Sequence, residues 1–293
     1  MTDLFDANLV LVQVTLVNFL LALSLLIPVR AGVFTFSGIG AYGIGTYATA
    51  ATSLHWDWDA TAAIASGIAV AGVACGALGL LVRRLNGLHL GMATIAFDLI
   101  VMVGIMNGGE FTGGTEGLFG VPATLPSWAV LLVVAGIVVL AAASERGRLG
   151  RRLEAVRLDP ELSVTAGISV TRVRVAVFVV SAAIGAFAGG VNVTFRTIAT
   201  PADMGFPVVV LTLTMIIVGG TGSWVGALVG AVFFTWLPST LQFVGEWQEV
   251  VYGAIVAVVA IWVPGGVVGV LTEARHRRRS RRRQAALPGG ATP

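Results

Sequence analysis

Residues 60–82 read ATAAIASGIAVAGVACGALGLLV, an apolar stretch without a charged side chain. An α-helix rises about 1.5 Å per residue, so roughly 20 apolar residues cross a hydrocarbon core about 30 Å thick. The stretch is long enough to cross once. Asp57 and Asp59 precede it, and Arg83 and Arg84 follow it directly. The pattern therefore predicts a membrane-spanning helix with one acidic end and one basic end.

Similar apolar stretches fill most of the 293-residue chain, which is 56% hydrophobic and only 11% charged. A soluble domain carries about 25% charged residues, so this composition favours a membrane domain. Barrel strands are not expected, because the stretches lack the alternation of a barrel wall. The predicted spans are 8–28, 33–53, 60–82, 86–106, 127–143, 174–195, 205–221, 223–240 and 249–270.

The predicted fold is an all-α, polytopic membrane protein with about nine transmembrane helices, in a range of eight to ten. The range reflects short turns at 29–32 and 219–222, which leave open whether the second, seventh and eighth spans are broken or re-entrant. Residues 1–272 are assigned to one transmembrane domain. Residues 273–293 form a basic tail that we expect to be disordered.

The arginines predict the orientation of the chain. All 18 basic side chains are arginines, and with nine spans every one except Arg196 falls on the same side. Because cytoplasmic loops are enriched in Arg and Lys, the N-terminus is predicted outside and the C-terminus in the cytoplasm. The basic tail is interpreted as a topology anchor on anionic lipid, in preference to a nucleic-acid-binding segment.

The chain carries no residue pattern for catalysis. It has no lysine, which the phosphate loop of a Walker-type ATP site needs, so any ATPase is expected to be another protein. Cys75 is the only cysteine, and the three histidines lack ligand-like spacing. We predict no enzyme activity, no cofactor and no metal site.

One acidic residue lies near the middle of a predicted span. Asp98 shares a helix face with Gly91 and Thr94, so it is expected to point into the bundle. A charged side chain there costs about 2.5–3.5 kcal/mol on insertion scales, which makes a functional role a reasonable hypothesis. The alternative is a structural hydrogen bond to a neighbouring helix or to Thr94. Asn107 and Asn192, near the outer ends of their spans, could likewise contact substrate or only pack.

Small residues recur at helical spacing in three spans. Spacings of three and four place each set on one face, which is typical of helices in close contact within lipid. Ordinary bundle packing is one interpretation, and helices that slide or break during transport are the other. The three sets are Ser37, Ala41, Gly45 and Ala48; Ser181, Gly185, Gly189 and Asn192; and Gly222, Gly226 and Gly230.

Residues 144–173, SERGRLGRRLEAVRLDPELSVTAGISVTRV, form the only predicted cytoplasmic connection long enough to fold by itself. A short basic helix is predicted over 148–157. A second helix is predicted to start at Asp159-Pro160-Glu161, with Asp as N-cap, Pro at the first helical position and Glu near the positive end of the helix dipole. Gly167 is its expected C-terminal stop. Two helices of this kind indicate a docking surface for a soluble partner, against the alternative of a solvated linker.

Several segments together resemble a known family. Over nearly all of residues 28–271 the chain is similar to the LivM-type permease subunit of bacterial branched-chain amino-acid ABC importers. In that family an acidic residue is common at the position of Asp98. The segments that carry the resemblance are FTFSGIGAYGIGTYAT (34–49), GLHLGMATIAFDLI (87–100), TGGTEGLFGVP (112–122), the long segment 147–190, VGGTGSWVGALVGA (218–231) and PGGVVGVL (264–271).

The resemblance implies a multi-pass protein of the bacterial plasma membrane that imports branched-chain or related amino acids by alternating access. Its implied partners are a second permease subunit, two cytoplasmic ATP-binding subunits and an extracytoplasmic solute-binding protein. The implied ATPase-coupling residues are Glu154, Arg157, Asp159, Pro160, Glu161 and Gly167. Candidate substrate-pathway residues are Thr94, Asp98, Asn107 and Asn192.

Two alternatives stay open. Departures from the family pattern, including His89-Leu90 in place of an aromatic-Phe pair, leave room for an importer of urea, short amides or aromatic acids. An ion-coupled secondary carrier is the alternative from another class. Such a carrier needs more membrane-embedded ionisable groups than Asp98, and it has no use for a docking loop.

Overall fold

The computed structural model describes residues 2–122, 125–241 and 247–262, together with residues 266 and 269. The predicted basic tail, 273–293, lies outside the described residues. The last predicted span, 249–270, is described as far as residue 262 and again at residues 266 and 269. The α-helices of the described part are α1 Thr2–Arg30, α2 Ser37–Trp56, α3 Ala60–Leu81, α4 Gly87–Met106, α5 Ser127–Arg146, α6 Arg148–Leu158, α7 Pro160–Thr165, α8 Val170–Arg196, α9 Phe206–Gly219, α10 Trp224–Thr240 and α11 Gln248–Trp262.

Each predicted span overlaps one of these helices, the last span as far as residue 262, and α6 and α7 form the predicted loop helices. The main differences are at helix ends. Helix α8 begins at Val170 and not at 174, because Ser169 caps it there: the Ser169 side chain accepts from the Arg172 N–H. Among the described residues, four helices are long and apolar enough to cross a membrane: Leu9–Arg30, Ala60–Leu81, Gly87–Met106 and Val170–Arg196. The chain is thus a helical membrane protein.

Helices α2 and α8 form the centre of the bundle, and their backbones touch. A Cβ atom on Gly45 would overlap the backbone of Ala186, and one on Gly185 would overlap the carbonyl oxygen of Gly38. Only residues without a larger side chain permit this approach. Gly45 of the first predicted stripe and Gly185 and Gly189 of the second therefore lie in this contact, which we call the α2–α8 seam. Ser181 of the second stripe instead donates to the Ser24 carbonyl of α1.

The other helices surround this seam. Helices α1 and α3 pack on both α2 and α8, and α4 packs on α2. The antiparallel pair α9–α10 packs against the opposite side of α1, with Gly226 and Gly230 against the backbone of α9. Gly222 contacts nothing in this way, so it does not belong to the third predicted stripe. Helices α9 and α10 span 14 and 17 residues, which is shorter than the roughly 20 needed for a full crossing.

Residues 31–36 form a non-helical segment between α1 and α2, which we call the α1–α2 link; it is largely buried, although Gly32 is exposed. This link is why α2 begins at Ser37 and not at the predicted residue 33. Its backbone is satisfied by side chains: Phe36 N–H donates to Thr94 Oγ1 at 3.0 Å, and Ser37 N–H donates to Thr35 Oγ1 at 3.2 Å. Irregular backbone at membrane depth is tolerated when protein surrounds it in this way.

The loop after α4 folds against the end of α8. Strand β1 (Leu118–Phe119) pairs antiparallel with strand β2 (Ile198–Ala199). Tyr47 Oη of α2 donates to the carbonyl oxygen of Ala199 at 3.1 Å. Gly117 has φ +90°, and a Cβ there would overlap that same carbonyl, so glycine is required. We call this end of the bundle the strand end, and the end with α6 and α7 the hairpin end.

Candidate functional site

The hairpin of α6 and α7 is built by local capping signals. Asp159 stands between the two helices, and its Oδ1 accepts from the backbone N–H groups of Glu161 and Leu162, both at 3.0 Å. Pro160 occupies the first helical position, where a missing N–H does no harm. The predicted helix start is therefore confirmed.

The end of α7 is a Schellman motif. Gly167 adopts φ +78° and its N–H donates to the carbonyl of Val164 at 3.0 Å, while Ile168 N–H donates to the carbonyl of Ser163 at 2.9 Å. These two bonds satisfy carbonyl groups that the end of the helix leaves free. Gly167 is thus the helix stop predicted from the sequence.

The surface of the hairpin combines charged and apolar side chains. Glu154, Arg157 and Glu161 are exposed. Between them, Leu158, Leu162 and Val164 are 78%, 67% and 61% exposed. We call these six side chains the hairpin surface. Exposed apolar side chains on a short, polar helical connection are typical of a site that another protein covers.

The underside of the hairpin contacts the α1–α2 link. The Arg157 Cα lies 3.0 Å from the position that a Cβ on Gly32 would take, and Gly32 has φ +73°. Leu153 packs against a buried cluster that includes Ala31 and Val33 of the link and Val177 of α8. The hairpin is thus in direct contact with the segment that precedes α2.

Glu145, at the end of α5, joins three helices at the same end. Its Oε1 accepts from Arg30 Nη1 of α1 at 2.8 Å and from the Trp224 backbone N–H at the start of α10 at 2.9 Å. Sequence reasoning missed this residue, since a glutamate at the end of an apolar run shows nothing about its partners. We call the three-way contact the Glu145 clamp.

A polar cavity of about 200 Å³ lies between the Glu145 clamp and α6. It brings together two of the predicted coupling residues, Glu154 and Arg157, with Arg30 and Glu145. The remaining lining residues are Ile27, Gly150, Leu153, Thr221 and Gly222. The hairpin, the end of α1, the end of α5 and the turn between α9 and α10 thus meet at this cavity.

Thr94 and Asp98 lie one turn apart on the buried face of α4. Asp98 is 4% exposed, so the prediction that it points into the bundle is confirmed. Its Oδ1 lies against the backbone of Gly40, near the start of α2, and a Cβ on Gly40 would overlap it. Neither carboxylate oxygen has a partner of hydrogen-bond geometry among the described residues.

The suggested hydrogen bond from Asp98 to Thr94 does not form. The Thr94 hydroxyl instead lies 3.1 Å from the Leu90 carbonyl and 2.9 Å from the Gly91 carbonyl of its own helix, and it accepts from Phe36 N–H. The hydroxyl proton of Thr94 is directed at carbonyl groups of its own helix, and its oxygen accepts from the α1–α2 link, so no bond to Asp98 is made. Thr94 therefore stabilises the link.

Asn192 lies far from this pair, at the strand end of α8. It lines a cavity of about 570 Å³ between α1 and α8, which we call the α1–α8 cavity. Gln13, Arg196, Thr200 and Asp203 supply its other polar groups. Asn107 does not line this cavity; it is exposed, and its Nδ2 donates to the Val103 carbonyl of its own helix at 2.8 Å. Thr94 and Asp98 thus lie side by side on α4 without a hydrogen bond between them, and Asn107 and Asn192 lie in other places.

The described arginines divide between the two ends as their sequence pattern suggests. Arg30 and Arg157 line the cavity at the hairpin end. Arg174 Nη1 donates to the Arg83 carbonyl at 3.4 Å, at the same end. Arg196 lies at the strand end, where it pairs with Asp203.

No group of three His, Cys, Asp or Glu side chains within the described residues could hold a metal ion. Cys75 is fully buried beside the start of α2, with its Sγ 3.6 Å from the Ser37 carbonyl oxygen. It therefore contributes to packing.

Comparison with known proteins decides the family. Residues 8–260 match the family described as "Branched-chain amino acid transport system / permease component". The chain belongs to this family. The resemblance drawn from the sequence motifs is thereby confirmed, and the protein is a permease, a multi-pass component of the plasma membrane that is not itself an enzyme.

Three curated relatives show the breadth of the match. LivM of Salmonella typhimurium, a high-affinity branched-chain amino acid transport system permease protein, is 26% identical over 87% of this chain and 68% of its own length. LivH of the same organism, described in the same words, is 25% identical over 58% of this chain and 56% of its own length. The ribose import permease protein RbsC of Escherichia coli is 26% identical over 86% of this chain and 84% of its own length. No solved structure matches the permease significantly.

Proposed function

We propose that this permease is a membrane subunit of an ATP-driven importer that carries branched-chain or related amino acids inward by alternating access. The family description and the LivM relative support the substrate class. The structural feature that carries the mechanism is the α6–α7 hairpin, which is capped at both ends and in contact with the α1–α2 link. The permease performs no chemistry in this scheme, and its partners hydrolyse ATP.

The proposed assembly contains four kinds of subunit. Two differently named permeases, LivM and LivH, both match this chain, which supports a second, paralogous permease as its neighbour in the membrane. Two cytoplasmic ATP-binding subunits and an extracytoplasmic solute-binding protein complete the importer. The solute-binding protein supplies most of the specificity, which fits a permease whose buried polar side chains are mostly those of Ser and Thr.

The hairpin surface is the proposed contact with one ATP-binding subunit. Leu158, Leu162 and Val164 supply apolar anchors, and Arg157 and Glu161 supply charges at their edge. Interfaces commonly have this arrangement of an apolar centre and a polar rim. Asp159, Pro160 and Gly167 act indirectly, because they set where α7 begins and ends.

Movement of the docked hairpin reaches the bundle by two contacts. Arg157 lies against Gly32, so closure of the ATP-binding subunits displaces the α1–α2 link and with it the start of α2. Glu154 lines the cavity beneath the Glu145 clamp, which joins α1, α5 and α10. These contacts make the hairpin end the place where closure is converted into rearrangement of helices.

The proposed substrate pathway uses residues from both ends of the bundle. Asn192 in the α1–α8 cavity contacts substrate first, and Thr94 and Asp98 lie deeper, beside the start of α2. Asn107 is exposed at the end of α4, and its role in the pathway stays a prediction. A translocation site of this kind binds weakly, since alternating access requires release as well as binding.

The proposed orientation places the hairpin end in the cytoplasm, the N-terminus outside and the C-terminus inside, with nine crossings in a range of eight to ten. A cysteine at Thr165, which is exposed, tests it, whereas Ser163 is buried and unsuitable. An impermeant maleimide should label Thr165→Cys only after the cells are permeabilised. The matched variant Thr115→Cys, exposed at the strand end, should be labelled in intact cells. Labelling in the reverse pattern would invert the proposed topology.

A specific observation favours a second candidate, a sugar importer, since RbsC matches nearly as much of the chain as LivM does. Uptake into proteoliposomes that contain the whole importer separates the candidates. Leucine should be accumulated only with ATP inside and the solute-binding protein outside, and excess ribose, urea or benzoate should not compete. Accumulation of one of those solutes in place of leucine would reassign the substrate, and uptake without ATP would indicate an ion-coupled carrier.

A further inference from the structure

The α1–α8 cavity contains a charge pair that the coupling mechanism does not use. Arg196 Nη1 lies 3.1 Å from Asp203 Oδ1, and Thr200 Oγ1 donates to Asp203 Oδ2 at 2.7 Å. The volume of about 570 Å³ is within the range of roughly 300–1,000 Å³ that small-molecule sites occupy. The pair is therefore placed where a solute could reach it.

Asn192 is the second, independent observation. It is 7% exposed, and its Nδ2 has no hydrogen-bond partner among the described residues. A buried donor without an acceptor destabilises a fold, so such donors are normally paired. The side chain lines the cavity while the amide nitrogen itself is enclosed by protein, so rotation of the Asn192 side chain brings the unpaired donor to a ligand that supplies the acceptor.

Asn192 and Arg196 present their donors together. They are four residues apart on α8, which places them on one helix face, and both line the cavity. A guanidinium carries five N–H donors, and the described hydrogen bond of Arg196 to Asp203 uses Nη1. The remaining donors, with the free amide of Asn192, match the two oxygens of a carboxylate.

The rest of the cavity matches the other parts of an amino acid. Asp203 is an acceptor for an ammonium group beside the carboxylate site. Val14, Val17 and Phe195 supply an apolar wall that suits an aliphatic side chain. A neutral sugar has no charge for either member of the pair to bind.

We infer that Asn192, Arg196 and Asp203 form a site for the zwitterionic head of an aliphatic α-amino acid at the strand end of the permease. The site rests on the proposed function and deepens it, because it supplies the permease with its own selection for zwitterions over sugars. Asn192 and Arg196 bind the carboxylate, and Asp203 binds the ammonium group. The substrate displaces part of the Arg196–Asp203 contact when it enters.

Asn192→Leu gives the sharpest test, because a structural role and a binding role of Asn192 predict opposite changes in the Tm of the complex. The change keeps the branched shape of the side chain, with two methyl groups that are larger than the amide atoms, and removes the unpaired buried amide. A binding role predicts an unchanged or higher Tm of the complex, with uptake of L-leucine reduced about tenfold or more. Unchanged uptake, or a lower Tm that alone explains the loss, would overturn the assignment.

The charge pair is tested by exchange of its members. Arg196→Gln and Asp203→Asn should each reduce L-leucine uptake about tenfold or more while the complex stays assembled. The double variant Arg196→Asp with Asp203→Arg restores an ion pair but places a carboxylate next to Asn192, so it should stay inactive. Recovery of uptake in the double variant would show that the pair only stabilises the 196–203 turn.

The wild-type importer separates failure of the site from failure of the proposed function. If it accumulates leucine and the variants do too, the zwitterion site is wrong and the importer assignment holds. If the wild-type importer accumulates ribose and no amino acid, the proposed substrate is wrong, and the zwitterion site is wrong with it.

Discussion

The α2–α8 seam and the α6–α7 hairpin differ in how closely their residues contact the rest of the chain. In the seam, backbone lies on backbone, so that Gly45 and Gly185 leave no room for a side chain. On the hairpin, Leu158 and Leu162 are exposed and contact little of their own chain. Changes in the seam are therefore expected to act on folding, and changes on the hairpin surface on docking. The following substitutions test that division.

The largest effect is expected in the seam. Gly185→Val should prevent most of the protein from reaching a folded state in the membrane, because its Cβ would overlap the Gly38 carbonyl oxygen and neither backbone can move freely. Overpacking a core costs about 1–3 kcal/mol even when side chains can adjust. The yield of monodisperse protein in mild detergent measures the loss. Gly72→Val, on α3 with nothing within 4 Å, is the matched control and should keep nearly the normal yield.

On the hairpin surface, Leu162→Ala should weaken binding to the ATP-binding subunit about 30-fold, as expected for loss of an anchor worth about 2 kcal/mol. Its Tm should equal that of the wild type, since the side chain is exposed. Binding of purified ATP-binding subunit to the permease in nanodiscs measures the effect. Leu132→Ala, an equally exposed position on α5, should bind normally. Equal weakening in both variants would remove the docking role of the hairpin.

Asp98 shares one property with each of the two regions. It is as buried as the seam residues, but its carboxylate has no hydrogen-bond partner among the described residues. Asp98→Asn keeps the shape of the side chain and should leave assembly intact. If the acid takes part in transport, uptake should fall about tenfold, an effect of about 1.4 kcal/mol. Normal uptake by the assembled variant would assign Asp98 a structural role beside Gly40.

The smallest effect is expected at the helix cap. Asp159→Ala removes the acceptor for two N–H groups of α7. The loss of this cap destabilises α7 by about 1 kcal/mol, so its first amide hydrogens should exchange with solvent about fivefold faster. Hydrogen exchange of the amides of Glu161 and Leu162 measures this. Asp159→Asn retains the cap and should exchange like the wild type. If that variant is as unprotected as Asp159→Ala, the negative charge and not the cap stabilises α7.

The sequence predicts those features that depend on local pattern. Apolar runs predict where helices lie because each membrane-spanning helix must be apolar by itself, whatever its partners in the fold. Asp159, Pro160 and Gly167 mark the ends of α7 because capping involves only neighbouring residues. The facing stripes of α2 and α8 were also visible, since small residues at helical spacing indicate contact without naming the partner.

Contacts between distant parts of the chain could not be predicted in this way. Glu145 reaches Arg30 and Trp224 only because three helix ends meet in the fold. The bond between Asp98 and Thr94, suggested as one alternative, does not form, and the contact of Thr94 with Phe36 was not foreseen because residues 31–36 resemble the start of a span in their composition. The α1–α8 cavity likewise joins Gln13 to Asp203 across most of the chain.

Site-specific photocrosslinking of the assembled importer tests the central claim most directly, namely that the α6–α7 hairpin docks onto an ATP-binding subunit in the cytoplasm. A benzophenone amino acid in place of Leu162 should capture the ATP-binding subunit, whereas the same group in place of Phe119, exposed at the strand end, should not. Capture of the ATP-binding subunit from position 119 and not from position 162 would contradict the account.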